Sequence, residues 1–294
     1  MKKVVLGLIF FSLLVAPSLS FAGVCYRGDC IVGSFDQTPI SYSVRGQGEV
    51  TLVFIHGWSC DARYWSAQVP YFAPRYQVVT VDLAGHGHSG SSRAHYTMGA
   101  FGEDVKAVVD DLGARRVILI GHSMGGTVAA QAAVLLKERV IGIIGVDTLQ
   151  NVEPEVTQEK ADEMYKPFTV DFRPAAEGFV RGMFPEGADP KLVDWVAADM
   201  SSAPPEVATS AMRDLFGGFV AGSNAGLFEQ ISAPVVCVNA RQWPTDEEAN
   251  RRHMKSFAVT YLDGVGHFLM MEKPEEFNPA LEAAVARIVG QGGK

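Results

Sequence analysis

Short apolar runs of strand length recur along the chain, and patterns typical of helices separate them. The continuous runs are rich in Val, Ile and Leu, as in strands buried on both faces of a parallel sheet, and they cover residues 51–55, 77–81, 117–120 and 140–146. Helical patterns cover residues 96–112 and 125–137. Alternation of strand and helix at this length predicts βαβ crossovers, and therefore a doubly wound, mostly parallel sheet of the α/β class.

The two ends and the middle of the chain depart from this alternation. Residues 31–45 alternate apolar and polar side chains around a polar turn, which predicts a hairpin. Residues 148–228 carry no strand pattern and consist of helical segments separated by Pro and Gly. Two strands and two helices are predicted beyond them, at residues 234–238, 257–262, 245–254 (with Thr245 as N-cap) and 274–289.

The first residues of the chain have the pattern of a targeting segment. Lys2 and Lys3 precede an apolar run over residues 4–15, and a small-residue cleavage site follows at residues 20–22. This arrangement predicts a secretory signal peptide that is cut after Ala22. The apolar run is too short to span a membrane comfortably. We therefore expect an exported protein, either periplasmic or secreted.

Composition restricts the partners of the chain. Its 294 residues are 48% hydrophobic and 20% charged, which suffices for one sizeable α/β core. Removal of the signal peptide takes away two lysines and no acid, so the formal net charge changes from −8 to −10. An acidic chain without a basic stripe argues against nucleic acid or an anionic membrane surface as a partner. The expected partner is a small-molecule substrate, without stable membrane insertion of the mature chain, and the sequence predicts no oligomeric state.

Four cysteines remain in the mature chain, and export permits disulfides. Cys25 and Cys30 are close in sequence, and a local bridge between them is the preferred pairing. Cys60 is either free or part of a different pairing, and Cys237 lies in an apolar strand pattern as a buried thiol. Val24 is a poor fit to lipoprotein processing at the next residue, which disfavours lipid anchoring through Cys25. No second close Cys or His pair completes a tetrahedral set, so no metal is expected.

The candidate chemistry centres on residues 118–130. An apolar strand pattern stops at Gly121-His122-Ser123-Met124-Gly125, and a helix pattern starts at once. The two glycines lack a Cβ, so strand and helix can approach closely while Ser123 takes a strained conformation at the apex. This geometry pushes the hydroxyl out above the sheet, with the Met124 N–H facing whatever the hydroxyl attacks. Ser123 is therefore the candidate nucleophile.

Three further motifs stand in a fixed order around this turn. They are His56-Gly57-Trp58, the segment Asp-Leu-Ala-Gly-His-Gly-His-Ser at residues 82–89, and Gly264-Val265-Gly266-His267. With these motifs the chain resembles the α/β-hydrolase fold superfamily from about Ile31 to its C-terminus. The resemblance implies the fold, but it does not imply a particular substrate.

The resemblance also implies how the chain is divided. A helical cap is expected to interrupt the hydrolase core after the sixth strand, in the region without strand patterns. Within it, Met212, Leu215, Phe216 and Phe219 share one helical face, which is typical of packing and leaves some apolar side chains to line a pocket. The implied organisation is a signal peptide, a first part of the core, a cap and a second part of the core, at residues 1–22, 23–147, 148–230 and 231–294.

A serine hydroxyl needs a base within hydrogen-bond reach. The family order is nucleophile, acid and histidine. Of the seven histidines, only His253 and His267 lie after a plausible acid. His253 falls inside a predicted helix, whereas His267 follows two glycines on a loop at the carboxyl end of the last strand, at the same edge as Ser123. His267 is therefore the expected base.

The acid stays open between two residues. The resemblance implies a carboxylate just after the strand at residues 234–238, but that loop carries none before Asp246. Asp246 stands in the first turn of a predicted helix, where the helix dipole also favours an acid. Asp147 ends the preceding strand, 24 residues after Ser123, at a position that some members of the superfamily use. We favour Asp147 and keep Asp246 as the alternative.

Acyl transfer also needs donors for the developing oxyanion. The backbone N–H groups of Trp58 and Met124 are the candidates, because each follows directly on a motif residue at the site. His86 and His88, with the glycines around them, are expected to hold a turn rather than a metal ion.

These residues predict an exported serine hydrolase that cleaves a small or medium apolar ester or lactone through an acyl-enzyme on Ser123, without a cofactor. A serine nucleophile disfavours reactions that need a carboxylate to form an alkyl-ester intermediate. The same triad would serve a carbon–carbon hydrolase, an amidase or a perhydrolase. A ligand-binding or signalling protein with slow turnover is a further alternative, because the acid is missing from its usual place.

Overall fold

The computed structural model describes residues 23–291, and the signal peptide predicted for residues 1–22 lies outside them. The strands of the described part are β1 (Val24–Tyr26), β2 (Asp29–Gly33), β3 (Pro39–Arg45), β4 (Thr51–Ile55), β5 (Gln77–Val81), β6 (Val117–His122), β7 (Val140–Val146), β8 (Val235–Ala240) and β9 (Phe257–Leu262). The α-helices are α1 (Gln68–Phe72), α2 (Met98–Asp111), α3 (Met124–Leu136), α4 (Gln158–Val170), α5 (Phe172–Arg181), α6 (Pro190–Met200), α7 (Pro205–Val220), α8 (Ser223–Phe228), α9 (Glu247–His253), α10 (Leu269–Glu272) and α11 (Pro274–Gln291). None of the helices in this range combines the length and the apolar composition that a membrane crossing requires.

The strands form one sheet in the order β1-β2-β3-β5-β4-β6-β7-β8-β9. Strands β1, β2, β3 and β5 pair antiparallel with one another in that sequence, whereas every pair from β5–β4 to β8–β9 is parallel. The predicted doubly wound, mostly parallel α/β sheet is confirmed. After β5 the chain crosses to the far side of β4, so the carboxyl ends of β4 and β6 lie side by side where the winding reverses, the usual place for a binding site.

The central strands β4 and β6 are buried on both faces, as their continuous apolar runs predict. The side chains of Leu52, Phe54, Ile118 and Ile120 have no exposed surface. Burial of each such side chain stabilises the fold by about 1.5–3 kcal/mol relative to an exposed position. The two strands therefore hold the turns at their carboxyl ends in a fixed relation.

An additional strand, β1, precedes the predicted hairpin. It pairs with β2 and places Cys25 opposite Cys30, and a disulfide joins the two residues, which confirms the preferred pairing. Cys60 and Cys237 are buried thiols. Because of β1, the long helical segment follows the seventh strand of the described chain and not the sixth. A strand of three residues is too short to show in the hydrophobic pattern.

Helix α9 begins later than the sequence predicts. Its N-cap is Asp246, whose Oδ1 accepts the Ala249 N–H at 2.9 Å, and not Thr245. The Thr245 hydroxyl instead accepts a hydrogen bond from the Asn239 side chain at 3.0 Å, which draws this residue towards the sheet. The prediction of Thr245 as N-cap is therefore wrong.

Helices α4 to α8 lie between β7 and β8, in a segment that we call the helical insertion (residues 148–230). Within it α4 contacts α5 and α7, and α7 and α8 also contact the core helices α2 and α3. Its aromatic side chains surround Trp58, which follows β4. The ring centroids of Phe168, Phe172 and Phe179 lie 5.4, 6.0 and 6.0 Å from that of Trp58. The helical insertion thus covers the turn at the carboxyl end of β4.

His253, at the end of α9, bridges the two chain segments that enter and leave the helical insertion. Its Nε2 lies 2.7 Å from Glu153 Oε2, before α4, and its Nδ1 lies 2.8 Å from Glu229 Oε1, after α8. Arg252 also contacts Glu153. Hydrogen bonds from His253 to Glu153 and Glu229 raise the pKa of His253 above its ordinary value of 6.5.

We expect His253→Gln to lower the free energy of unfolding more at about pH 6 than at about pH 9. A histidine whose pKa is raised by folding stabilises the folded state below its unfolded pKa, and this contribution is lost as the pH rises through the raised value. Urea unfolding of the wild type and the variant across this range measures the difference. His95→Gln, at an exposed histidine that is not bonded to Glu153 or Glu229, is the control. A difference that does not shrink with rising pH would contradict the ionic interpretation.

Candidate active site

Ser123 stands at the turn between β6 and α3 with φ 53° and ψ −121°, a left-handed backbone conformation that side chains rarely adopt. The flanking glycines make the turn tight. A Cβ on Gly121 would lie 2.1 Å from the Gly125 carbonyl oxygen, and one on Gly125 would lie 2.6 Å from that of Ile55. The Ser123 N–H donates to the Val146 carbonyl at 3.1 Å, which ties the turn to β7. A conformation of this kind costs about 1–3 kcal/mol, so the surrounding strands must hold it in place.

His267 and Asp147 meet at the carboxyl end of the sheet. His267 lies on the loop after β9, and its Nδ1 donates to Asp147 Oδ2 at 2.6 Å. Asp147 directly follows β7, its side chain has no exposed surface, and its Oδ1 accepts the Ala240 N–H at 2.8 Å. This pairing leaves Nε2 as the other ring nitrogen of His267. His267 and Ser123 line the same cavity, so Nε2 is the nitrogen available to the serine.

Asp246, the alternative acid, caps α9 and is not bonded to His267. The place at which the resemblance implies an acid, near the end of β8, is occupied by Asn239. Its Oδ1 accepts the Thr148 N–H at 3.2 Å, and its Nδ2 donates to the Thr148 carbonyl at 3.0 Å. The structure therefore brings Asp147 to the histidine, and Asn239 holds the backbone next to that aspartate.

His122, the residue before Ser123, holds the loop that carries His267. Its Nε2 donates to the His267 carbonyl at 2.8 Å, an assignment of the proton that follows from the carbonyl partner. Burial lowers the pKa of His122 well below 6.5, which keeps the ring neutral. Its Nδ1 is buried without a hydrogen-bond partner in residues 23–291. The sequence does not predict this contact, for which the only signal is a histidine inside the Gly-x-Ser-x-Gly motif.

Glu272, in α10, holds the same loop from another side. Its two oxygens accept the Gly266 N–H at 3.0 and 2.9 Å, and its Oε1 also accepts the Phe268 N–H at 3.1 Å. Burial raises the pKa of Glu272, and the nearby Asp147 carboxylate acts in the same direction. The role of Glu272 is also not predicted from the sequence, where the one signal is an acid five positions after His267 that follows an otherwise apolar run.

The turn after β4 orients one of the two candidate oxyanion donors. The Leu83 N–H donates to His56 Nε2 at 3.0 Å, which leaves Nδ1–H to donate to the Gly57 carbonyl at 2.8 Å. Burial lowers the pKa of His56 to about 4, so the ring keeps the neutral form that this pattern requires. Because the peptide bond is trans, the Trp58 N–H points away from His56. The Met124 N–H is the first of α3, where no intrahelical partner exists.

His86 and His88 belong to the turn after β5. The Nδ1 of His86 donates to the Ala84 carbonyl at 3.0 Å, and burial lowers the pKa of His86 to about 3. The backbone N–H of His88 donates to Asp82 Oδ2 at 2.9 Å. Across residues 23–291, no three or more His, Cys, Asp or Glu side chains are grouped so that they could hold a metal ion.

Ser123 and His267 line a cavity of about 70 Å³, which we call the catalytic cavity. Its other walls come from the core and from the helical insertion, and they are mostly apolar or sulfur-bearing: Trp58, Cys60, His122, Met124, Phe179, Met183, Met200, Met212, Leu215, Phe216 and Phe268. Transfer of a charged group into such surroundings is costly. The cavity therefore suits an uncharged, apolar group.

A serine on a strained strand–helix turn, a histidine and a buried carboxylate above a mostly parallel sheet are the features of an α/β hydrolase. Residues 52–280 match the profile of the family described as the alpha/beta hydrolase family. The chain belongs to this family.

Curated relatives fit this assignment. The chain is 30% identical over 261 residues to the dihydrolipoyllysine-residue acetyltransferase component of the acetoin cleaving system of Cupriavidus necator, across 84% of this chain and 66% of that protein. It is 25% identical over 257 residues to 3-oxoadipate enol-lactonase 2 of Acinetobacter baylyi, across 84% of this chain and 93% of that protein. The chain thus spans just under two thirds of the first relative and nearly all of the second.

Solved structures share the fold over most of the chain. Est816, described as an N-acyl homoserine lactone degrading enzyme, is 27% identical with a TM-score of 0.73, across 84% of this chain and 97% of that one. A thermophilic esterase from Thermogutta terrifontis is 20% identical with a TM-score of 0.75, across 88% and 98% of the two chains. For the Thermogutta terrifontis esterase, at 20% identity, the likeness concerns the fold alone.

We expect Asp147→Asn to slow the reaction of Ser123 with a fluorophosphonate by about 10³- to 10⁴-fold, because an amide at this position no longer favours the tautomer and the imidazolium that the reaction needs. Stopped-flow or gel-based labelling rates measure the effect. Asp246→Ala is the matched control. It should leave the labelling rate unchanged and lower stability by about 1 kcal/mol through loss of the α9 cap. The reverse pattern would make Asp246 the acid.

Proposed function

We propose that the protein is an exported serine hydrolase that cleaves a small or medium apolar ester or lactone through an acyl-enzyme on Ser123. One observation carries the proposal. Ser123 and His267 line the same apolar cavity, and His267 Nδ1 is bonded to Asp147 Oδ2. This is the arrangement that an activated serine needs, with a base beside it and a carboxylate that orients the base.

In the proposed reaction the Ser123 hydroxyl attacks the substrate carbonyl and His267 Nε2 accepts its proton. Asp147 stabilises the imidazolium that forms, because its charge lies 2.6 Å from Nδ1. The N–H groups of Trp58 and Met124 donate to the oxyanion. The intermediate expels its alcohol, which takes the proton from His267, and water then releases the acid by the same steps.

The substrate class follows from the size and the lining of the catalytic cavity. A cavity of about 70 Å³ suits a small group, such as a short acyl chain or a small ring. Methionine side chains from the helical insertion let the walls adapt to irregular shapes. The enol-lactonase among the relatives and the lactone-degrading enzyme among the structures support ester or lactone bonds as the target.

The same triad would also serve a carbon–carbon hydrolase, an amidase or a perhydrolase. A panel of short esters, lactones, amides and β-diketones separates these activities. A ligand-binding protein with slow turnover is the alternative from another class. Native protein that is not labelled by a fluorophosphonate would favour it.

We expect Ser123→Ala to lower kcat for p-nitrophenyl acetate and butyrate by at least about 10³-fold, because the nucleophile is lost. Ser202→Ala, at an exposed serine of the helical insertion, is the matched control and should hydrolyse both esters at the wild-type rate. A fluorophosphonate should label the native wild type. It should label neither the heat-denatured wild type nor native Ser123→Ala. Retained esterase activity in Ser123→Ala would refute the assignment of the nucleophile.

The disulfide supports the proposed export. Oxidising compartments favour such bonds, and the Cys25 thiol that lipid attachment would need is bonded to Cys30.

We expect the protein from the periplasm of a bacterial host to begin at residue 23 and to carry no lipid. Its intact mass should be two hydrogens below that of the reduced chain, because one disulfide is present. Cys30→Ser is the control and should abolish that difference. Retention of residues 1–22, or a lipid-modified Cys25 at the N-terminus, would contradict the proposal.

A further inference from the structure

The carboxylate of Asp111 stands at the end of α2 where a negative charge is least favourable. Asp111 is the last residue of this helix, and the last turn contains no basic residue. The helix dipole favours cations at this end and disfavours anions. The neighbouring Asp110 forms ion pairs with Lys106 and Arg139. Asp111 forms none with any basic side chain of residues 23–291, so its charge lacks a cation there.

Asp111 is bonded instead to the backbone of Gly23 and to a tyrosine. The Gly23 N–H donates to Asp111 Oδ1 at 3.0 Å, and the Tyr42 hydroxyl donates to Oδ2. Tyr42 is only 2% exposed. Burial and the bond to Asp111 raise the pKa of Tyr42, which keeps its hydroxyl protonated. The tyrosine therefore holds the carboxylate beside the Gly23 nitrogen but adds no charge of its own.

The absence of a side chain at Gly23 permits this contact. A Cβ on Gly23 would lie 2.0 Å from Asp111 Oδ2 and 2.6 Å from Oδ1. The overlap would be with the end of a movable side chain. A larger residue at this position would therefore displace the carboxylate from the backbone nitrogen and would leave the rest of the fold intact.

The sheet brings residue 23 to this place independently of Asp111. Strand β1 starts at the next residue, Val24, and a disulfide joins Cys25 to Cys30 of β2. Cys30 in turn pairs with Tyr42 of β3, the residue that holds the carboxylate. The first residues of a domain are usually poorly ordered unless they are tied down. Here the strand pairing and the disulfide both position the Gly23 nitrogen.

We propose that Asp111 and Tyr42 form the binding site for the α-ammonium group of the processed chain, which supplies the cation that Asp111 lacks. This inference rests on the proposed export and on cleavage after Ala22. In that cleavage, catalysed by a signal-peptide peptidase of the exporting cell, water adds its oxygen to the Ala22 carbonyl carbon. The bond from this carbon to the Gly23 nitrogen breaks, Ala22 leaves as a carboxylate, and the nitrogen takes up protons to become an ammonium group.

Cleavage changes the contact between Gly23 and Asp111 from neutral to charged. In the unprocessed chain the Gly23 nitrogen is an amide with one N–H and no charge. In the processed chain it carries three N–H donors and a positive charge. Hydrogen bonds between charged groups are roughly twice as strong as neutral ones. Processing therefore strengthens the attachment of β1 to the end of α2.

Two chains that differ by one residue test the proposal. One starts at Gly23 and the other at Ala22, and each is released from a fusion by a protease that leaves no extra residue. Ala22 restores a neutral amide at Gly23 and moves the ammonium group away. We expect the Gly23 chain to have a Tm about 1–3 °C above that of the Ala22 chain. Asp111→Asn should abolish this difference, and about 1 M NaCl should reduce it.

Asp110→Asn is the matched control, because Asp110 stands on the same helix end but is paired with Lys106 and Arg139. It should lower the Tm of both chains equally and keep the difference between them. Circular dichroism and a cooperative melting curve check that each variant is folded.

The reactivity of the α-amine gives a measurement that does not depend on stability. A nearby carboxylate raises the pKa of an amine, and only the neutral amine reacts with an N-hydroxysuccinimide ester. At about pH 7 the α-amine of the Gly23 chain should react at least about threefold more slowly than that of its Asp111→Asn variant. Asp110→Asn should keep the slow rate. Mass spectrometry of the N-terminal peptide measures the reaction.

Three results would overturn the ammonium site and leave the proposed hydrolase untouched. They are equal Tm values for the two wild-type chains, a Tm difference that survives Asp111→Asn, and an α-amine that reacts equally fast with and without Asp111. Because the fusion protease sets the first residue, these results are independent of natural processing. A periplasmic protein that begins at a residue other than Gly23 would overturn both the proposed cleavage and the natural occupant of the site.

Discussion

The hydrogen bond between His267 and Asp147 joins two loops that lie 120 residues apart in the sequence. The Asp147 side chain has no exposed surface, and a carboxylate taken out of water costs several kcal/mol unless it is paired and hydrogen-bonded. Here the imidazole N–H and the Ala240 N–H meet that requirement. If either donor were lost, the buried charge would be left with one partner. The bond that orients the ring therefore also holds the loops after β7 and β9 together.

The backbone around this bond is held from three directions. The His267 carbonyl accepts a hydrogen bond from His122, next to Ser123, and the His267 N–H donates to the Met183 carbonyl of the helical insertion at 3.0 Å. Glu272 accepts hydrogen bonds from the N–H groups of Gly266 and Phe268, on either side of His267. A Cβ on Gly266 would lie 2.4 Å from the Met183 oxygen, so only glycine permits this close approach. The backbone that carries the imidazole is thus held by the turn at Ser123, by the helical insertion and by α10.

The sequence predicts those site residues whose neighbours in the chain form a recognisable pattern. Ser123 sits at a strand–helix boundary between two glycines, and His267 follows glycines at the end of a strand. The choice between Asp147 and Asp246 depends on which of two neighbouring strand ends faces the histidine, a relation that only the paired strands define. His122 and Glu272 contact backbone groups, and such contacts leave no complementary side chain to find in the sequence.

The same distinction holds for the fold. Mostly apolar runs mark β4 to β8, because burial on both faces leaves little room for polar side chains. The position of β4 between β5 and β6 is not marked in this way, since every central strand has the same composition. It is this order that brings the turn after β4 next to Ser123: a Cβ on Gly57 would lie 3.2 Å from the Ser123 Cβ.

Trp58 links that turn to the helical insertion. Its indole N–H donates to the Ala208 carbonyl at 2.7 Å, and its ring packs among three phenylalanines of the insertion. Its own backbone N–H points away from His56, because the peptide bond is trans and the Gly57 carbonyl faces the His56 ring. Because His267 is also bonded to the insertion, through Met183, the proposed base and one proposed oxyanion donor share an anchor. A shift of the insertion would therefore disturb both groups at once, since packed interfaces move between discrete arrangements and do not deform continuously.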